Sequence, residues 1–405
     1  MHERDGVVVV GAGPVGAVMA LTLCQRGFPV TLIEAHPGPV EDQRAATVHP
    51  PTVEMLVHMG LKEQAWATGL LSPLFYYIDR VTGERVAAFD VSVLEGEVEY
   101  PFVLQWEQYK LVLAALGKAA ETGLLTTRFS ARLLSYEQTA DNVRVTVNVD
   151  GEVEALDCDW LIGADGSHST VRKLAGIEFE GFTWPERFIK IGTTFNFLEA
   201  GRNYCTRNYF SDPDEWLNLF KVKGPGEPGI WRGIFPVPPE ESDEDALSAE
   251  GVQRRLQKFL PKSGDYSIAY HALYKVHQRV AATFNYGRVL LAGDAAHVNN
   301  PIGGMGMNGG IHDAVNLAEK LEAIRDGAAE LSVLDRYTRQ RRKAQTDFVQ
   351  AQSVANKRSL SERDPVKRRE HLDGLRRIAG DRELHKAFLR RSSLIDSLVS
   401  ANAVQ

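Results

Sequence analysis

The glycines and acids near the start of the chain have types and spacing that could do chemistry. Gly11-Ala12-Gly13-Pro14-Val15-Gly16 directly follows the valines Val7 to Val10 and precedes an apolar stretch ending at Gly27. That order predicts a buried strand, a tight turn and a helix. In such a turn Gly11 permits the bend, Gly13 lets the backbone approach a diphosphate, and Gly16 lets helix and strand pack closely. Unpaired N–H groups at the helix start suit the anion. Glu34 ends the next strand pattern about 20 residues on, where a carboxylate can accept hydrogen bonds from ribose hydroxyls. Together these residues predict a dinucleotide site, without separating NAD from FAD.

A second constellation lies far along the chain. Val289-Leu290-Leu291-Ala292-Gly293-Asp294-Ala295-Ala296-His297 is followed by Pro301-Ile302-Gly303-Gly304-Met305-Gly306-Met307-Asn308. A buried strand would deliver Gly293 and Asp294, and the glycines suit a loop whose N–H groups face a ligand. A helix would then start near Asn308. An NAD dehydrogenase has no use for this second element, whereas FAD is long enough to reach both.

The elements that position these residues follow from periodicity. Residues 7–34 form a βαβ unit. Helical patterns cover 52–60 and 106–120, a β-meander is expected over 124–138 and 142–149, and 160–163 reads as a further short strand. Residues 240–250 are acidic and polar, and predict a surface loop before a helix at 252–259. The fold class is α/β. A discontinuous Rossmann-type FAD-binding domain is assigned to 1–70, 105–180 and 281–340. The aromatic-rich stretches 71–104 and 181–280 form an inserted antiparallel-sheet substrate domain, and 341–405 is a helical C-terminal segment.

Composition narrows the class. The 405 residues carry a formal charge of −7, which argues against a nucleic-acid partner. Arg341, Arg342, Lys343, Lys357, Arg358, Arg368 and Arg369 crowd the end of the chain among acids, and read as a solvated helical face. Cys24, Cys158 and Cys205 are too far apart for a cysteine-built metal site or a disulfide framework, and suit a reducing cytoplasm. The uncharged run 6–24 is broken by Gly11, Gly13, Pro14 and Gly16, so it is not a membrane span.

With a third motif, Gly163-Ala164-Asp165-Gly166-Ser167-His168-Ser169-Thr170-Val171-Arg172, the chain resembles the single-component (group A) FAD-dependent aromatic hydroxylases of the para-hydroxybenzoate hydroxylase type. The Pro-Ile-Gly-Gly-x-Gly-x-Asn loop is similar to that of their phenol and polyketide hydroxylase branch. Met305 stands where those relatives commonly have Gln, and Asn299-Asn300 is unusual before the proline. The resemblance implies that Asp294 contacts the FAD ribityl chain, and that Asp165 serves FAD and NAD(P)H near the pyrophosphate. Arg44 and Gln105 would be further FAD contacts. It also implies that NADH or NADPH reduces the flavin as a transient co-substrate, and that O2 then gives a flavin 4a-hydroperoxide that hydroxylates an electron-rich ring. N–H groups of Gly303, Gly304, Gly306, Met307 and Asn308 would stabilise anionic reduced flavin. Pro301 would lie beside the substrate hydroxyl.

A phenol reacts better as its phenolate, so a base or proton relay is expected. Tyr209, His271 and Tyr270 on the inserted sheet are candidates, and no spacing separates them. Arg207 or Arg232 could hold an acidic substrate group, against the alternative of surface arginines. His297 is read as structural. The expected partners are a small aromatic substrate and O2, in a cytoplasmic protein without membrane attachment; a homodimer is compatible. A Baeyer–Villiger or epoxidising flavin monooxygenase and a non-redox binding protein of the GDP-dissociation-inhibitor type remain as alternatives.

Overall fold

A computed structural model describes residues 5–41 and 44–405. The first strand, Asp5–Val10, lies inside a sheet ordered Asn285–Tyr286, Val289–Leu291, Glu152–Gly163, Asp5–Val10, Val30–Ile33, Leu125–Arg128. All pairings from Val289–Leu291 onward are parallel. Parallel strands need both faces covered, and Val7, Val8 and Val9 are fully buried. The helices Pro14–Gln25, Gln108–Ala120 and Gly306–Arg325 pack together against this core.

Two strand expectations change. Residues 160–163 are not a separate strand but the end of the 12-residue strand Glu152–Gly163. Its first part pairs antiparallel with Val143–Val149, which pairs with Ala131–Gln138; its last part runs parallel to Asp5–Val10. One strand therefore serves both the antiparallel meander and the parallel sheet. Leu125–Arg128 does not join the meander either, because it pairs parallel with Val30–Ile33.

The second sheet has eight strands, ordered His297–Val298, Ile268–Ala281, Phe179–Thr193, Ile230–Val237, Leu217–Val222, Arg207–Ser211, Leu74–Asp79, Arg85–Asp90. Its register sets Tyr209 beside Tyr77 and Arg207 opposite Phe220. Stretch 240–250 is not only a loop. Ser242 and Ser248 accept backbone N–H bonds as N-caps of the helices Asp243–Leu247 and Ala249–Phe259.

After Gly306–Arg325 come Val333–Lys343, a π-helical turn Ala344–Gln350 and four more helices. Pro365–Gly380 and Arg382–Ser392 put Leu372, Leu375 and Leu389 into the apolar cluster under the second sheet with Phe75 and Phe89. The basic residues here are not one solvated face. Arg341 is 2% exposed, and Arg368 pairs with Asp79 at 2.5 Å. Among the described residues, no helix is long and apolar enough to cross a membrane.

Candidate active site

The N-terminal turn shows what each glycine does. A Cβ on Gly16 would lie 1.8 Å from the Gly11 carbonyl oxygen, and one on Gly11 would lie 2.6 Å from that of Ala164. Gly11 also has φ +101°, which favours glycine. A Cβ on Gly13 would meet nothing within 4 Å, because Gly13 opens onto a cleft. Glu34 holds this turn: its Oε2 accepts the Ala12 N–H at 2.8 Å, and Oε1 accepts that of His36 at 2.9 Å.

The cleft has two parts. An outer cavity of about 440 Å³ runs past Glu34 and Asp165, and an inner one of about 330 Å³ passes Gln105, Asp294, Pro301, Gly304, Gly306 and Met307. Gly13, Pro14, Arg44, Gln108 and Gly166 border both. The depression is therefore elongated, with an open glycine cradle at its middle, and this shape fits an extended dinucleotide such as FAD. Gln43, beside Arg44, lies outside the described residues.

The acids are not equivalent. Asp165 spends its carboxylate on its own segment, accepting from Ser169 Oγ at 2.5 Å and from the N–H groups of Thr170 at 2.7 Å and Val171 at 3.2 Å. Burial nevertheless raises its pKa. Asp294 is half-buried on the inner cavity wall. Gly293 is tied from behind. Its N–H donates to Asp313 at 3.0 Å, and the same buried carboxylate contacts His297 Nε2 and Arg341 Nε, both at 2.6 Å. Burial pushes the Asp313 pKa up, but His297 and Arg341 together outweigh it and bring it down to about 2. His297 is thus structural, while the Asp313–Arg341 pair had no signal in the sequence beyond two ordinary charges.

The helix begins at Gly306, two residues before the expected start near Asn308. The Asn308 side chain is fully used as a clamp. Its Oδ1 accepts the His49 N–H at 2.8 Å, and Nδ2 donates to the carbonyls of Thr47 at 2.8 Å and Gly304 at 2.7 Å. Gly304, Gly306 and Met307, at the start of this helix, border the inner cavity, where a helix N-terminus offers N–H groups to an anion.

The second sheet closes the inner cavity with Phe220, Ile234 and Tyr274, together with Lys190 and Arg232. Arg232 and Arg207 are each 3% exposed, so neither is the surface arginine weighed above. Behind Gly303 lies a cavity of about 30 Å³ bordered by His49, Phe75, Tyr77, Arg207, Tyr209 and Asn356. Tyr209 stacks on Tyr77 at 5.1 Å between centroids. His271 is a correction: alternation along Ile268–Ala281 turns it outward, exposed and away from these cavities. Tyr270 borders neither cavity, and its ring packs against Gly192 with Lys190 and Arg232 near its face.

His49, unremarked in the sequence, is the residue missed. It ends the run from Arg44 and precedes Pro50-Pro51, a helix-start signal that could have drawn attention to it. Its Nε2 lies 2.9 Å from the Gly303 carbonyl oxygen.

An α/β sheet bearing this glycine turn, an elongated cleft and a sheet-covered inner chamber defines a flavin-dependent oxidoreductase. Comparison with known proteins supplies the family. A family model described as FAD binding domain matches residues 5–352. The chain is 34% identical over 397 residues to para-nitrophenol 4-monooxygenase of Pseudomonas sp. (strain WBC-3), covering 96% of this chain and 95% of that one. It is 32% identical over 371 residues to 6-hydroxy-3-succinoylpyridine 3-monooxygenase HspB of Pseudomonas putida (strain DSM 28022 / S16), covering 90% and 91%. The crystal structure of p-nitrophenol 4-monooxygenase PnpA from Pseudomonas putida DLL-E4 superposes with a TM-score of 0.91 at 31% identity, covering 98% of this chain and 99% of that one. The chain belongs to this FAD-binding family and is an FAD-dependent aromatic monooxygenase. The matches do not favour the Baeyer–Villiger, epoxidising or GDP-dissociation-inhibitor alternatives.

Proposed function

We propose that the protein uses NADH or NADPH and O2 to hydroxylate a small single-ring phenol or hydroxypyridine para to its hydroxyl, displacing the substituent there. The observation that carries the ring size is the inner cavity. The inner end of the cleft, about 330 Å³ in all, must take both the flavin end of FAD and the substrate, so the space left under Phe220, Ile234 and Tyr274 suits a single ring. The names of two full-length relatives support the position. In para-nitrophenol 4-monooxygenase and 6-hydroxy-3-succinoylpyridine 3-monooxygenase, the numbered carbon already bears the substituent and lies para to the hydroxyl.

FAD, once bound and reduced, supplies the activated oxygen. The chain's own groups do the rest. Gly11, Gly13, Gly16, Arg44, Gln105 and Asp294 are proposed to hold the cofactor, with Glu34 and Asp165 fixing the turns beside it. The first-turn N–H groups from Gly306 to Asn308 favour negative charge next to them. Pro301 and the aromatic wall exclude water. For a leaving group X the sum is phenol–X, O2, NAD(P)H and H⁺ giving quinone, HX, H2O and NAD(P)⁺. The three cysteines are free in the structure, and a cytoplasmic setting belongs to the same proposal.

The test is NAD(P)H oxidation by the FAD-loaded protein with a panel of para-substituted phenols and hydroxypyridines. Acceleration with stoichiometric release of X and quinone, read by mass spectrometry, is expected. A rate that no panel member changes overturns the proposal.

A further inference from the structure

We infer that the small chamber behind Gly303 is a binding site for a monovalent anion of halide or nitrite size, held by Arg207. The inference is independent of the reaction proposed above, because the chamber shares no bordering residue with either part of the FAD cleft.

Arg207 begins the strand Arg207–Ser211 and is buried. Its guanidinium lies over the Phe75 ring at 4.9 Å, a contact that covers its face and leaves its edge N–H groups. Of these, Nε and Nη1 are buried without a hydrogen-bond partner, and no carboxylate among the described residues pairs with them. A guanidinium does not shed its proton, so its burial calls for a counter-charge that the chain does not supply.

The chamber sets the ligand's charge, size and hydration. Arg207 repels a cation. A space of about 30 Å³ takes roughly two water-sized groups, which leaves no room for sulfate, phosphate or an aromatic acid. Phe75, Val91 and Val103 make much of the wall apolar, so the anion must shed most of its water. That cost is smallest for weakly hydrated anions, and it favours bromide and nitrite over fluoride.

His49 accounts for the second group. The Gly303 carbonyl only accepts, so Nε2 carries the hydrogen of their 2.9 Å contact and Nδ1 keeps a lone pair. Nδ1 is also buried without a partner. Burial, with help from the Arg207 charge, lowers the His49 pKa to about 4, so the ring is neutral near pH 7. A lone pair repels an anion. One water between them, giving one O–H to the anion and the other to Nδ1, satisfies both.

The way in lies among the C-terminal helices. A groove of about 320 Å³ between Ala351–Leu360 and Pro365–Gly380 meets the chamber at Tyr77, Asn356 and Phe388, which border both. An anion therefore reaches Arg207 without passing the cofactor. Ser392 and Ser393 close the chamber from the end of Arg382–Ser392, so a bound anion ties the second sheet to these helices.

The test uses the FAD-loaded protein with bromide as the probe. Crystals grown in sodium bromide are expected to show an anomalous peak beside Arg207 Nε and Nη1. In solution, the bromide NMR line width should report saturable binding that nitrite displaces and sulfate at equal ionic strength does not. Arg207→Met should weaken bromide binding about 10-fold or more, the size of a charge-assisted hydrogen bond. Arg207→Lys should keep part of it, and the FAD content and melting temperature of each variant show that it is folded. A wild-type crystal with no bromide in the chamber overturns the inference without any variant. A peak there without saturable binding in solution marks an adventitious ion only and overturns it too. So does an unchanged bromide affinity in folded Arg207→Met.

Discussion

Gly13 and Gly16 share one turn but answer to different constraints. Gly16 faces the Gly11 carbonyl at a distance no Cβ can occupy, whereas Gly13 faces only the cleft. Gly16→Ala is therefore expected to lower apoprotein stability by more than about 3 kcal/mol through backbone displacement. Gly13→Ala should leave apoprotein melting nearly unchanged while weakening FAD binding about 10-fold, as an added methyl crowds the ligand. Thermal unfolding of both apoproteins and fluorescence titration with FAD separate the two effects. Such glycines are legible in a sequence because the residue type itself encodes the steric demand. The acid–base groups were not. Tyr209 and His271 looked alike in sequence, and strand register alone puts one beside a cavity and the other in solvent. His49 was missed because its contact, the Gly303 carbonyl, meets it only through the folded glycine loop.

Between elements, the buried carboxylate of Asp313 joins three segments. It lies on the helix Gly306–Arg325, receives Arg341 from Val333–Lys343, and bonds both the Gly293 N–H and His297 beyond the strand Val289–Leu291. Removing one partner of a buried pair leaves the other uncompensated, so Arg341→Met should cost about 3–5 kcal/mol in urea unfolding. FAD retention on a desalting column should fall with it, because the Gly293–Asp294 turn loses its anchor. The double variant Arg341→Met/Asp313→Leu should not recover fully, since Gly293 would keep a buried, unpaired N–H. Element identity was largely readable from period and caps, and the helices after Gly306 followed their patterns. Glu152–Gly163 was not readable as one strand. Its exposed first residues and its wholly apolar end belong to different neighbours, and a change of environment within a strand looks like a break.

At the scale of the molecule, the motifs announced the FAD-binding sheet and the aromatic-rich segments announced a second one. How the C-terminal helices fold back was hidden. Amphipathic spacing tells which face is apolar, but Leu372, Leu375 and Leu389 needed Phe75 and Phe89 from far earlier in the chain to cover them. Two histidines, His49 and His312, are buried elsewhere in the molecule and bear on its acid stability. Burial lowers the pKa of His49 to about 4 and of His312 to about 3, and His312 Nε2 contacts Thr52 Oγ1 at 2.8 Å. In the unfolded chain each takes up a proton near pH 6.5, while the folded protein takes up neither until well below that. The unfolded state thus binds more protons as pH falls from about 6 to 4, and unfolding becomes easier by about 1.4 kcal/mol per pH unit for each histidine. Asp313, with its lowered pKa, adds a loss only below about pH 4. Urea unfolding of the apoprotein at several values across that window should show the decline. His312→Gln, which can keep the bond to Thr52, should reduce the slope by about 1.4 kcal/mol per pH unit. An unchanged slope would mean that His312 takes up its proton in the folded protein at an ordinary pH, and that the packing around Thr52 is looser than it stands here.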